Sequence, residues 1–187
     1  RADHAGSLLR TRPLKEARAR REKGEVSAIE LKAIEDREIA AAIKKQEEIG
    51  LHAVTDGEFR RAFWNYDFLG ALPGVEAYLG ERKIKFQGIN PKSMMLRVTG
   101  RLGTFTVHPM LDHFKFVREH AKAKPKMTIP SPSSLHFRYG RDAVPESIYP
   151  DMAEFYRDLG QTYRLAVRAF ADAGCRYLQL DEVNFAY

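Results

Sequence analysis

One pattern recurs along this chain: a long helical stripe, a glycine, then a short apolar segment that ends in charged or hydroxyl residues. Ser27 and Glu30 stand at the spacing of a capping box, in which each side chain accepts from the backbone N–H of the other. Leu31, Ile34, Ile39 and Ile43 follow at roughly helical spacing, and Gly50 stops the helix before the apolar segment Leu51–Thr55. Pro150–Asp151 opens a second helix, with Met152, Phe155, Tyr156, Leu159, Tyr163, Ala166, Val167 and Phe170 on one stripe. Gly174 ends it, and Arg176–Leu180 follows as a buried strand. Helix, glycine and short buried strand is the rhythm of a parallel α/β fold.

Three further strands are expected at Arg1–Ala5, Leu96–Thr99 and Lys126–Ile129, the last after a helical pattern over His113–Lys122. A β-rich stretch from Lys83 to Gln87 reads as part of a hairpin projecting from the sheet. The segments Leu69–Gly80 and Arg138–Pro150, rich in Gly and Pro, read as loop excursions around a site. Four of the five expected strands run into polar ends: His4-Ala5-Gly6-Ser7, Asp56-Gly57-Glu58-Phe59-Arg60-Arg61, Pro130-Ser131-Pro132-Ser133-Ser134 and Asp181-Glu182. In parallel barrels the loops at the carboxyl ends of the strands converge on one mouth, where the active site lies. A complete eightfold barrel needs about 250 residues, and five βα units fit the 187 present. The expectation is a partial TIM (β/α)8 barrel over residues 1–187 that stops after its fifth strand, with Asn184–Tyr187 beginning a loop.

Composition narrows the class. Hydrophobic residues at 44% and charged residues at 30% exclude a disordered chain. The net charge of +6 is spread over helices such as Lys15–Lys23 and Lys44–Lys45 beside glutamates, which reads as a solvated surface and not a nucleic-acid face. Cys175 is the only cysteine, so no intrachain disulfide forms, and a reducing, cytoplasmic compartment is expected. No apolar run approaches the roughly 20 residues that span a bilayer, and the start has no secretory signal. His108, His113, His120 and His136 lack metal-site spacing, and Ser131, Ser133 and Ser134 lack a nucleophile elbow.

Three segments together carry a family resemblance: Arg1-Ala-Asp-His-Ala-Gly-Ser-Leu-Leu-Arg10, Val54-Thr-Asp-Gly-Glu-Phe-Arg-Arg61 and Tyr177-Leu-Gln-Leu-Asp-Glu182. With Val98-Thr-Gly100 and Ile129-Pro-Ser-Pro132 in the same order, the chain resembles the short, single-barrel relatives of cobalamin-independent methionine synthase. That resemblance implies a TIM barrel that moves a methyl group from a methyltetrahydrofolate to a thiol, homocysteine, giving methionine. It also implies zinc to hold the thiolate, since a free thiol has a pKa near 8.5 and metal coordination deprotonates it. The family's zinc ligands lie after strand five, so they are expected downstream of Tyr187 and none within this chain. The remaining partner is then the rest of the protein's own chain.

The resemblance assigns Ser7 to the substrate carboxylate and Glu58 and Asp181 to its α-ammonium group. Val183 stands where longer members carry proline after Asp-Glu, and His4, Arg60 and Arg61 belong to the short relatives. Arg60 and Arg61 beside a barrel mouth suit a carboxylate or polyglutamate tail. Each residue also has a structural reading. Asp56 and Glu58 suit a helix amino-terminus, Ser7 a turn or cap, and His4 a satisfied barrel histidine. Glu182 suits an ion pair, Trp64 and Tyr66 suit packing, and Cys175 suits a buried turn. Two other functions share the architecture. One is a barrel of the uroporphyrinogen decarboxylase type, or a transferase for another thiol such as coenzyme M. The other is a non-catalytic barrel that binds an amino acid. His and Cys ligands beyond Tyr187 would separate the methyltransferase from both.

Overall fold

A computed structural model of the chain describes residues 3–81 and 92–184. In chain order the helices are α1 (Arg12–Glu22), α2 (Ala28–Glu48), α3 (Tyr66–Leu69), α4 (Pro109–His120) and α5 (Met152–Asp172). The strands are β1 (Ala53–Val54), β2 (Val75–Glu81), β3 (Lys92–Val98), β4 (Lys124–Pro125), β5 (Met127–Pro130) and β6 (Leu178–Asp181). The fold is α/β. Two compact units divide it: Arg1–Arg61 with Met110–Thr128 and Phe170–Gln179, and Ala62–Pro109 with Ile129–Ala169 and Leu180–Tyr187.

The first unit is built on parallel pairing. β1 pairs with β4 in parallel, Ala53 opposite Lys124 and Val54 opposite Pro125. Ser7 makes a parallel bridge to Gly57, and the Leu8 N–H donates to the Gly57 carbonyl at 3.0 Å. Thr11 caps α1, accepting from the Leu14 N–H, and Pro13 sits in the first turn, where its missing N–H costs nothing. The Ser27–Glu30 capping box starts α2 as expected, with both reciprocal bonds made (2.8 and 3.1 Å). The core gathers Leu14, Ile39, Ile43, Val54, Phe59 and Val117. Burying each of these side chains contributes roughly 1.5–3 kcal/mol. Gln46, also buried, replaces missing ladder bonds: its amide donates to the Thr55 carbonyl (2.9 Å) and accepts from the Thr55 N–H (3.0 Å). That clamp fixes the strand end at Thr55.

The second unit contains an antiparallel hairpin, β2 with β3, in register from Val75 opposite Val98 to Glu81 opposite Lys92. This corrects two expectations. Leu96–Thr99 supplies the end of a hairpin strand and not a parallel strand, and the segment Leu69–Gly80, expected as a loop, contains most of β2. The stretch Lys83–Gln87 lies outside the described residues. A third correction concerns the first strand. Residues 3–5 form no strand, and the pairing falls later, at Ser7. Phe68 anchors the unit, packing on Phe105, His108 and Tyr163 with ring centroids 6.3, 4.7 and 5.8 Å away.

β5 and β6 form the remaining pair. Met127 donates to the Tyr177 carbonyl and Ser131 to the Asp181 carbonyl, so both strands advance in the same direction. Among the described residues the strands form three two-stranded sheets.

Candidate substrate site

The turn after β1 in the first unit is held in an unusual conformation. Gly57 and Glu58 both have positive φ, 65° and 58°, and Glu58 is the only non-glycine residue to do so among the described residues. For an L-residue the left-handed region costs roughly 1–2 kcal/mol. Three contacts maintain it. The Asp56 carboxylate accepts from the Glu58 N–H (2.9 Å), and the Thr55 hydroxyl accepts from the Gly57 N–H (3.1 Å) while donating to the Gly6 carbonyl (2.6 Å).

The Glu58 carboxylate is buried among partners. It accepts from the Thr128 hydroxyl at 2.9 Å and pairs with the Arg61 guanidinium at 3.3 Å. Arg61, only 1% exposed, also donates to the hydroxyl and carbonyl of Thr128. Thr128 thus serves both charges, and it was not among the expected site residues. A lone hydroxyl in the otherwise apolar run Met127–Pro130 is the signal that marks it. Asp56 is buried as well, and its second oxygen has no hydrogen-bond partner among the described residues.

The other expected residues of this unit sit differently. Ser7 is exposed at the bridge to Gly57. His4 is half-buried, and neither ring nitrogen has a partner among the described residues. Arg60 turns away from Arg61. Its guanidinium pairs with Glu35 (3.4 Å) and Asp36 on α2 and lies 5.0 Å above the Phe116 ring. Burial outweighs these arginines for Glu35, whose pKa is raised despite Arg18 and Arg60.

In the second unit the ends of β5 and β6 carry a network of hydroxyls and an amide around one carboxylate. Glu182 accepts from the Ser133 hydroxyl and the Asn184 N–H. The Asn184 amide donates to Ser133 (2.7 Å), and Ser131 bonds Ser133 (2.8 Å) and Ser134 (3.3 Å). Asp181, the expected site carboxylate here, closes β6, and its carbonyl accepts from Ser131 at 2.9 Å. Tyr163 donates to the Pro130 carbonyl at 2.9 Å, and burial together with nearby Glu182 raises its pKa well above the usual phenol value. Beside the network lies a shallow, solvent-open hollow with room for about one water, lined by Trp64, Asn65, Tyr66, Ser134, Arg138, Tyr139, Val183 and Asn184. Cys175 is buried in the first unit, and burial raises its thiol pKa.

Among the described residues no group of three or more His, Cys, Asp or Glu could hold a metal ion. No helix among them is long and apolar enough to cross a membrane.

No protein-family model matches the chain. It is 49% identical over all 187 residues to the uncharacterized protein YxjH of Bacillus subtilis (strain 168), covering 48% of that protein. A crystal structure from Listeria monocytogenes, assigned as a vitamin-B12 independent methionine synthase, superposes over the whole chain with a TM-score of 0.82 at 42% identity; 52% of that chain is covered. The 5-methyltetrahydropteroyltriglutamate–homocysteine methyltransferase of Mesorhizobium japonicum is 29% identical over 180 residues, 95% of this chain and 22% of that enzyme. The chain spans about half the length of the first two. These likenesses, joined to an α/β fold with the expected polar strand ends, make the chain a relative of the cobalamin-independent methionine synthase family.

Proposed function

We infer that this chain carries the amino-acid subsite of an S-methyltransferase. The enzyme moves a methyl group from a methyltetrahydrofolate-type donor to a thiol, homocysteine, giving methionine. The parallel pairs belong, on this reading, to a TIM barrel. The observation that carries the proposal is the Gly57–Glu58 turn. A carboxylate held in a left-handed conformation by Asp56, and oriented by Thr128 and Arg61, has an organised position with a backbone cost. Such strain persists where the surroundings over-determine it, most often at sites.

Each residue then has a role. Glu58 receives the substrate ammonium in a charge-assisted hydrogen bond, the role that the resemblance also assigns to Asp181, and Ser7, with its exposed hydroxyl, takes the carboxylate. His4 offers ring nitrogens to the same ligand. Arg61 offsets the Glu58 charge and holds its carboxylate in place, while Arg60 ties the turn to α2. Zinc, when bound, lowers the pKa of the thiol. Its ligands are proposed beyond Tyr187.

Titration of homocysteine into the intact protein tests the reading. Glu58→Gln and Asp181→Asn each remove one charged bond worth roughly 1.5–3 kcal/mol, so affinity should fall by about one to two orders of magnitude. Unchanged affinity in both variants would end the proposal. Tight binding without methyl transfer would favour an amino-acid-binding barrel.

A further inference from the structure

The sequence offered Arg60 and Arg61 for the carboxylates of a ligand tail, and the structure commits both guanidiniums internally. Arg60 is paired with Glu35 and Asp36, and Arg61 with Glu58 and Thr128. A third arginine reaches the Glu58 turn from a distant part of the chain. Arg10 ends the first of the segments that carry the family resemblance, and the sequence suggests no role for it.

After Gly57 the chain leaves its pairing with Ser7, and the carbonyl groups that follow need other donors. Guanidiniums supply them. Nη2 of Arg10 carries two N–H groups and donates to the carbonyls of both Glu58 (3.3 Å) and Arg61. Arg18 of α1 donates to the Phe59 carbonyl between them (2.6 Å). The two arginines differ in what else they hold. Arg18 also pairs with Glu35 (3.2 Å), so it belongs to the ion pairs that tie the turn to α2. Arg10 stands between Ser7 and Thr11, the residue that caps α1, so its backbone is anchored on both sides. The backbone bonds of Ser7 and Leu8 hold the turn at Gly57, and the Thr55 hydroxyl adds its bond to the Gly6 carbonyl. Arg10 holds the other end, at Arg61. Glu58 lies between the two fastenings.

We propose that Arg10 is a positioning residue for amino-acid recognition. It fixes the Glu58 carboxylate at a set separation from the Ser7 hydroxyl, so that one ligand meets both with its ammonium and carboxylate groups. Two-point recognition of this kind depends on a supporting shell that locks the contacting groups. The inference rests on the amino-acid subsite proposed above, and adds what makes that subsite selective for an amino acid.

The test is a double-variant cycle on homocysteine binding by the intact protein. Arg10→Met should weaken binding about tenfold, because Glu58 loses one of its fastenings. In that background the further effect of Glu58→Gln should shrink to about threefold or less, since the two residues act as one. Arg10→Lys, which keeps a cationic donor on a shorter stem, should recover part of the affinity and part of the coupling. Effects of Arg10→Met and Glu58→Gln that simply multiply, or unchanged affinity in Arg10→Met, overturn the role of Arg10 and leave the methyltransferase reading in place. If Glu58→Gln alone does not weaken binding, the amino-acid subsite fails and the role of Arg10 with it. Melting curves accompany each titration. Should Arg10→Met not fold, the same cycle run with Arg10→Lys decides, and multiplying effects there overturn the proposal equally.

Discussion

The turn after β1 and the loop after β6 each end a short strand with a carboxylate, and they hold it by different means. Glu58 is buried in a strained backbone and faces a buried guanidinium. Glu182, half-buried, rests on a hydroxyl and a backbone N–H, with serines and an amide completing the network. Removing one member of a buried ion pair leaves an uncompensated charge, which costs more than losing one of several hydrogen bonds to a half-buried carboxylate. The first corner should therefore be brittle and the second forgiving.

Arg61→Met is the sharpest way to break that contrast. It strands the Glu58 carboxylate, and stability measured by urea unfolding should fall by about 3–5 kcal/mol. The double variant with Glu58→Gln should recover a good part of the loss. A change under about 1 kcal/mol in the single variant would mean that water, and not Arg61, balances Glu58.

Gly6→Ala probes the same corner through its neighbour. Gly6 has φ 125°, and a Cβ there would stand 2.5 Å from the Thr128 methyl. Backbone strain and overpacking together should cost about 2–4 kcal/mol. Homocysteine affinity should fall as well, because Thr128 holds both Glu58 and Arg61. Ser133→Ala, in the second corner, removes one hydroxyl while Asn184 still donates to Glu182. About 1.5–3 kcal/mol is expected for a bond to a carboxylate, and a loss as large as that of Arg61→Met would erase the distinction.

The smallest effect should come from a carboxylate on the surface, Asp3. The Tyr177 hydroxyl, then Lys126, hold its pKa down to about 2 from an ordinary 3.8. A group with a depressed folded pKa stabilises above its unfolded value and loses that contribution as pH falls from about 4 toward 2. Melting curves across that window should differ slightly between the protein and Asp3→Asn, and should coincide below it.

How far the sequence revealed this arrangement depends on the range of each interaction. The Ser27–Glu30 box and the stripe from Met152 to Phe170 are local patterns, and both appear where the spacing places them. β2 was hidden because Gly70, Pro73, Gly74 and Gly80 flank or interrupt it, and its partner strand starts only at Lys92. The acidic end of β1 was legible as a polar strand end. The commitment of Arg61 was not, since Thr128 is 67 positions away in sequence. Nor could adjacency show that Arg60 and Arg61 serve different partners. Asn184 read as the start of a loop, and only the fold brings it to Ser133.

Lys126 has a practical consequence of a different kind. Its side chain is fully buried, its ammonium is held by Asp3 (3.1 Å) and the His4 carbonyl, and it lies 4.8 Å over the Tyr177 ring. An amine-reactive label should therefore modify the exposed lysines Lys15, Lys32 and Lys44 quickly and reach Lys126 only when residues 3 and 4 peel away. The rate at which mass spectrometry finds that one lysine modified becomes a clock for fraying of the amino-terminal segment.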